Sequence, residues 1–531
     1  MKKITLLFTV LFPLLAGHAL GQNQEPVISG LYAWADAPNN TLHVYYEVAD
    51  NEGEDLEIFL GVSGNDTVYA IDVSSATGDI GYPVTPGMGK EIIWNYGVSH
   101  PNILNYRVRL TADDRFQIDI QAIVDQVDTM NLIQDLSWIS GIRDHNSGLA
   151  HLYDVRDSII NRFNSLSLEV STQAFSYLGD TTGLNVIGRL PGVVEDSITF
   201  INDAHYDGVA GAPAADDNGS GVVGFLEAAR ILAPYNFRKS IRFIGFDMEE
   251  TQPGGFGLIG SGQYVNSGGI QPWEQIAGVF NYEMIGYYSE KPGTQTFPNL
   301  FDIFFPAAYD SMVAADWKGN FITNVATDDA QVLGNQFDSI TRAFVPELRV
   351  ITIYSPGSGS SIPDLRRSDH AWFWTAGIDA LLLTDGAEFR NTNYHTPLDV
   401  MDSLDFNFMG NNVKAVVANL CVLAGIQHSH VAYVDMSTTP LSVTKNDFIN
   451  PQLQIFPNPT SGEVLIVLTE TLPEIKYLLE ITDEAGRVVL KRNRTLNDEG
   501  WALDVSKWSA GVYNVTIQGG ETSITKSLIV Q

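Results

Sequence analysis

The stretch 197–250 constrains this chain more than any other. Two apolar runs of strand length, 197–204 and 240–246, each end abruptly in residues that bind cations. The first gives way to His205-Tyr206-Asp207, the second to Asp247-Met248-Glu249-Glu250. Between them Asp216-Asp217-Asn218-Gly219-Ser220-Gly221 opens a helical run over 222–232. In an open α/β sheet, sites form at the carboxyl ends of strands, where the loops begin. Imidazole and carboxylate groups are therefore expected on one rim of one sheet.

The alternation extends on both sides. Helical runs are predicted at 118–132 and 148–163, strands at 185–190, 276–285 and 378–384, and a helix at 371–375. Strands alternating with helices argue a mainly parallel sheet covered on both faces. This α/β catalytic domain spans 118–430. Its segment 286–364 reads as an insertion, with a helix near 300–313, that shapes a substrate pocket together with Phe373, Trp374 and Phe389. Residues 25–115 alternate with period two between closely spaced turns such as Asp50-Asn51-Glu52-Gly53, the pattern of a β-sandwich. They carry no chemical constellation, so a spacer or accessory binding module is expected. Residues 431–452 are polar and irregular and read as a linker, and 453–531 as a second small β-sandwich.

With 531 residues, 44% of them apolar, the chain has material for several domains and a large core. Its 63 acidic and 30 basic residues leave a net charge of −33. Such a surface repels phosphate backbones, so nucleic acid is excluded as a partner. Lys2-Lys3, an apolar run over 4–15 and small residues around Ala19-Leu20-Gly21 read as a signal peptide over 1–21. No later run has the roughly 18 apolar residues of a membrane span, so no transmembrane segment is expected in the mature chain. The only cysteine, Cys421, permits no intrachain disulfide and sits in an apolar helical run as a small hydrophobe.

Singly, each site residue has an ordinary structural explanation. As a set, His205, Asp217, Glu249, Glu250, Glu283 and His395 each follow, or nearly follow, a predicted strand. A carboxylate can bridge two zinc ions roughly 3.5–4 Å apart, its charge offsetting their repulsion. Each ion then needs an imidazole and a further carboxylate, with one position left open. A carboxylate outside that shell is needed to take a proton from water, a role contributing about 10²–10⁴ in rate. The neighbours Glu249 and Glu250 point in different directions and can divide these roles. Asp207, two residues from His205, is placed to orient its ring.

Five motifs in order complete the picture: His205-Tyr206-Asp207, Ala215 through Gly221, Asp247 through Glu250, Asn281-Tyr282-Glu283-Met284-Ile285-Gly286 and Asn393-Tyr394-His395-Thr396-Pro397. Over 118–430 the chain resembles the co-catalytic di-zinc aminopeptidases, metallopeptidase clan MH, family twenty-eight. That resemblance implies two zinc ions bridged by Asp217, with His205 and Glu283 completing one and Glu250 and His395 the other. It implies Glu249 as general base, Asp207 as the holder of His205, and Tyr394 as donor to the developing oxyanion, a role worth a few kcal/mol at comparable sites. Peptides are the implied substrates. Glu283 departs from the family, many of whose members carry Asp there, and its longer side chain shifts or weakens that ion. The C-terminal module is similar to the sorting domain of the type nine secretion system, through Ile455-Phe456-Pro457-Asn458-Pro459, Asp483-Glu484-Ala485-Gly486-Arg487, Ser509-Ala510-Gly511-Val512-Tyr513 and the ending Lys526-Ser527-Leu528-Ile529-Val530. It implies export through the periplasm and outer membrane by that machinery, to a secreted or surface location.

Two other readings compete with the secreted exopeptidase. A glutaminyl cyclase, an acyltransferase on the same fold, shares the His-x-Asp and Glu-Glu motifs. Those enzymes typically carry Trp before the second His and Asp-Asp-His upstream, where this chain has Tyr394 and Ser368-Asp369-His370. A non-catalytic adhesion protein would have lost ligands, whereas all six positions here remain chemically apt.

Overall fold

The computed structural model describes residues 23–36, 39–64, 68–97, 105–179, 181–436, 453–468, 476–483, 486–495, 501–519 and 522–530. The signal peptide at 1–21 and most of the expected linker lie outside the described residues. Among the described residues, no helix is long and apolar enough to cross a membrane.

An eight-stranded mixed sheet organises the catalytic region. In spatial order its strands are Val350–Ser355, Ile322–Thr327, Ala380–Thr384, Gln275–Glu283, Glu195–His205, Lys239–Phe246, Thr181–Leu190 and Glu169–Tyr177. The four central strands, from Ala380–Thr384 to Lys239–Phe246, run parallel. Antiparallel pairings flank them on both sides. Side chains of a strand alternate between faces, and here both faces are covered. Phe200, Phe243, Phe280, Leu381 and Leu383 enter one core with the helices Gly221–Leu232 and Phe406–Leu423. Their neighbours Ile201, Ile244, Val279 and Leu382 enter the other, with Tyr264 and Phe373.

Within 118–430, three expectations about secondary structure change. The segment 286–364 is no mere insertion: it supplies the strands Ile322–Thr327 and Val350–Ser355 and the helix Gln331–Phe344 between them. The helix expected at 300–313 is two, Phe301–Phe304 and Pro306–Ala314, because proline starts a helix but cannot continue one. The helix expected at 118–132 likewise stops at Val124 and restarts at Thr129, where the Asp128 carboxylate caps the Met130 N–H.

The N-terminal sandwich has two four-stranded sheets. Leu42, Val44, Tyr46, Ile92 and Trp94 of one pack on Ile58, Leu60, Val62, Val108 and Leu110 of the other. Residues 431–435, read from sequence as the start of the linker, belong to the strand Ser429–Asp435, which pairs antiparallel with Arg107–Asp113. His430-Val431-Ala432-Tyr433-Val434 carries no breaker, and the edge of Arg107–Asp113 offers unmet hydrogen bonds. The C-terminal region builds a three-stranded and a four-stranded sheet around Ile466, Ile481, Trp501, Val515 and Leu528.

Candidate metal centre

The carboxyl ends of the parallel strands bring the expected ligands together. His205 and Glu283 are the last residues of their strands, and Glu249 and Glu250 follow Lys239–Phe246 after a short loop. Asp217 lies in the irregular turn before Gly221–Leu232. His395 comes from the loop after Ala380–Thr384.

Asp217 stands between the two imidazoles. Its Oδ1 is 3.4 Å from His205 Nε2 and its Oδ2 is 3.0 Å from His395 Nε2. On the first side, His205 Nε2 is 3.4 Å from Glu283 Oε2 and 3.8 Å from Glu249 Oε2. On the other, His395 Nε2 is 3.3 Å from Glu250 Oε1. Two ligand groups result: His205, Glu249 and Glu283 in one, and Asp217, Glu250 and His395 in the other. Glu249, expected as a base outside the shell, thus lies within ligand reach of the first group, at the longest of its distances to His205.

These residues fit cations. His205 Nε2, Asp217 Oδ2 and Glu250 Oε1 are buried yet make no hydrogen bond of acceptable geometry. Five buried or nearly buried carboxylates, Asp207, Asp217, Glu249, Glu250 and Glu283, face two imidazoles, and buried charge without a counter-charge is costly. Titration responds to this crowding. Burial alone would lower the His205 pKa, but Glu249, Glu283, Asp207 and Asp217 drive it well above the ordinary histidine value. His395 rises to about 10, burial being outweighed by Asp217 and Glu250. Burial, with Asp217 beside it, lifts Glu250 to about 7. Burial raises Glu249 well above the carboxylate range and also raises Glu283. Asp217 is held down, burial being overcome by its two imidazoles.

The supporting contacts are specific. Asp207 holds His205, but through its main-chain carbonyl, 3.1 Å from Nδ1. Its carboxylate is 3.4 Å away because it accepts the N–H groups of Glu249 at 3.0 Å and Glu250 at 3.2 Å. Asn218 donates to the Tyr282 carbonyl and accepts from Met284 N–H, tying the Asp217 turn to the Glu283 strand. A Cβ at position 221 would fall 2.3 Å from Asn218 Oδ1, which is why glycine stands there. Left-handed backbone at non-glycine residues, costing about 1–3 kcal/mol each, occurs at Met248, Met284 and His395, beside or at the ligands.

Residues outside the motif list complete the site. The Asp399 carboxylate accepts the N–H groups of Asp216 at 3.0 Å and Asp217 at 3.1 Å. Ser368 Oγ donates to Glu283 Oε2 at 2.7 Å. The fully buried Arg143 binds the carbonyls of Tyr206, Pro213 and Ala214, joining the His205 and Asp217 loops. Sequence signals for these are slight: a lone Asp four residues after His395, a Ser two residues before His370, and an Arg far upstream.

Tyr394 stacks on His395 at 3.7 Å between ring centroids. Burial, with Asp217, Glu283 and Glu250 near, keeps its hydroxyl well above the ordinary tyrosine pKa despite the Arg367 guanidinium. Beside it lies a cavity of about 100 Å³, walled by Phe297, Phe301, Met312, Val325, Ile353 and Leu382, with Glu283 and Tyr394 on the ligand side. Phe389 lines it as expected. Phe373 and Trp374 do not: Phe373 packs on Phe246 and Tyr264, and Trp374 on His370 with its Nε1 donating to the Ala380 carbonyl. Both lie on the buried face of their helix.

Two family models match parts of this chain. The model of peptidase family M28 matches residues 185–420, and that of the secretion system C-terminal sorting domain matches 454–531. The uncharacterized protein YfbL of Escherichia coli is 30% identical over 234 residues, 42% of this chain and 67% of its own length. Aminopeptidase YwaD of Bacillus subtilis is 29% identical over 228 residues, 42% of this chain but only 41% of its own. The solved LapA aminopeptidase of Legionella pneumophila aligns with a TM-score of 0.43 at 22% identity, covering 59% of this chain and 77% of that one. With the family model over its central sheet and the shared length of YfbL, this chain belongs to peptidase family M28, and it ends in a type nine secretion sorting domain.

Proposed function

We propose that this chain is an exported aminopeptidase that uses two zinc ions to hydrolyse the first peptide bond of unblocked peptides. The observation that carries the reading is Asp217, one oxygen turned to each imidazole and each imidazole backed by its own carboxylate. His205 and Glu283 would hold one ion, Glu250 and His395 the other, with Asp217 shared. Ions there supply Lewis acidity, which makes water a nucleophile at neutral pH and polarises a carbonyl.

The chain's own groups do the rest. The apolar cavity takes the N-terminal side chain, and its carboxylate side suits the α-ammonium. Glu249 takes a proton from the attacking water and returns it to the departing amine. Tyr394 donates its hydroxyl to the oxygen that gains charge. Asp207, bonded to the Glu249 and Glu250 amides as well as to His205, keeps base and ligand in register. The C-terminal domain delivers the enzyme across the outer membrane.

The test uses the purified full chain, a panel of unblocked and N-acetylated peptides, and elemental analysis. Free N-terminal amino acids released only from unblocked peptides, dependent on zinc, support the proposal. Glu249→Gln should lower kcat by about 10²–10⁴ with both ions retained. Pyroglutamate formation without hydrolysis, or cleavage of the acetylated peptides, would overturn it.

A further inference from the structure

Tyr394 poses a geometric problem. Its phenol sits among carboxylates, each a ready acceptor for its proton, yet a donor to a substrate oxygen must keep that proton free. The hydrogen bond recorded for its hydroxyl runs the other way: Arg367 Nη2 donates to the Tyr394 oxygen at 3.0 Å. The guanidinium also lies 5.8 Å from the ring centroid. Arg367 is itself anchored by an ion pair with Glu388, and all three residues line the cavity. The next residue, Ser368, donates to Glu283. One short loop thus addresses the phenol with one side chain and a metal-ligand carboxylate with the next.

The Arg367–Glu388 pair is not there for stability. Its side chains are 42% and 34% exposed, and ion pairs at that exposure contribute little. Its geometry has a chemical consequence instead. A phenol oxygen has two lone pairs and one proton. When a guanidinium N–H occupies one lone pair, the O–H bond is turned away from the arginine. The positive charge beside it also favours the phenol as a donor, since negative charge passed onto its oxygen is compensated.

We propose that Arg367 is a positioning residue for Tyr394: it holds the phenol oxygen from behind, so that the hydroxyl proton points into the cavity next to Glu283, where a substrate carbonyl oxygen acquires charge. This rests on the peptidase reading of the same site. Glu388 holds Arg367 in turn. Lysine cannot replace the arginine fully, because a planar fork can span Glu388 and Tyr394 together, whereas an ammonium is a point charge on a flexible stem.

The test is a double-mutant cycle on the zinc-loaded full chain, with Arg367→Ala, Arg367→Lys, Tyr394→Phe and Arg367→Ala combined with Tyr394→Phe. Tyr394→Phe should lower kcat by about 10²-fold. Arg367→Ala should lower it about tenfold with KM changed less than twofold, and Arg367→Lys should recover part of that loss. In the Tyr394→Phe background, Arg367→Ala should cost nothing further. A second readout needs no turnover: calorimetric binding of leucine boronic acid, whose tetrahedral oxygens resemble the charged intermediate. Its affinity should fall about tenfold for Arg367→Ala in the tyrosine background and not in the phenylalanine one. Equal losses in both backgrounds, or a loss confined to KM, would overturn the proposal. If the unaltered chain binds the boronic acid but hydrolyses no peptide, the peptidase reading fails while the coupling of Arg367 to Tyr394 is still measured.

Discussion

Asp399 ties the two halves of the site together. Its two oxygens take the amides of Asp216 and Asp217, its carbonyl takes Ala215 N–H, and its own N–H reaches back to Thr396. His395 immediately precedes that turn. The Asp217 carboxylate and the His395 imidazole are therefore mounted on one clamp. Asp399→Asn turns one acceptor into a donor facing an amide N–H. Zinc titration of the chelated full chain should then show the His395-side ion weakened by about 10–100-fold, with the His205-side ion nearly unchanged. Equal weakening of both would mean that the clamp does not act through His395. Proton binding follows the same crowding. Burial lifts Glu250 from 4.5 to about 7, and raises Asp216 to about 7 and Asp399 to about 6. Folded-state values above unfolded ones mean that the metal-free fold holds protons the unfolded chain has released. That stability is full below pH 4.5 for Glu250 and is lost as pH rises through about 7. The Tm of the chelated protein should fall across this window, and zinc should remove the fall. A Tm flat or rising across it would contradict the assignment.

At the scale of elements, the strands Ile322–Thr327 and Val350–Ser355 do more than widen the sheet. Val325 and Ile353 line the apolar cavity together with Phe297, Phe301 and Met312. A mainly apolar pocket of this size suits one apolar side chain. Ile353→Phe should fill it, raising KM for peptides beginning with Leu or Phe by tenfold or more while leaving those beginning with Ala within about threefold. Equal effects on both would place the first side chain elsewhere. These strands were illegible in the sequence for a physical reason. Each is six residues long, and the helix Gln331–Phe344 between them carries the stronger periodic signal. The central strands were legible because burial on both faces makes continuous apolar runs, and the ligands because each follows such a run. Arg367, Ser368 and Asp399 act through contacts between loops distant in the chain, which no local pattern encodes.

At the scale of the molecule, the N-terminal sandwich is fastened to the end of the catalytic sheet opposite the candidate ligands, at the loop that leads into Glu195–His205. Arg109 donates to the carbonyls of Gly192 and Val194, Thr111 to that of Val193, and Tyr69 N–H to Asp196. The chain then returns after Phe406–Leu423 to add the strand Ser429–Asp435. The sandwich is closed by residues that follow the peptidase region. A chain of residues 23–436 should unfold in one transition with activity intact, while one ending at 427 should lose about 5 °C or more in Tm. Equal Tm values would mean that the returning strand is dispensable. Whether Asp217 joins two ions is read from crystals of the full chain soaked in zinc and measured at the zinc absorption edge. Two anomalous peaks roughly 3.5–4 Å apart are expected, one against His205 and Glu283, the other against Glu250 and His395, each within bonding distance of a different Asp217 oxygen. A single peak, or a pair with Asp217 bound to only one, would contradict this.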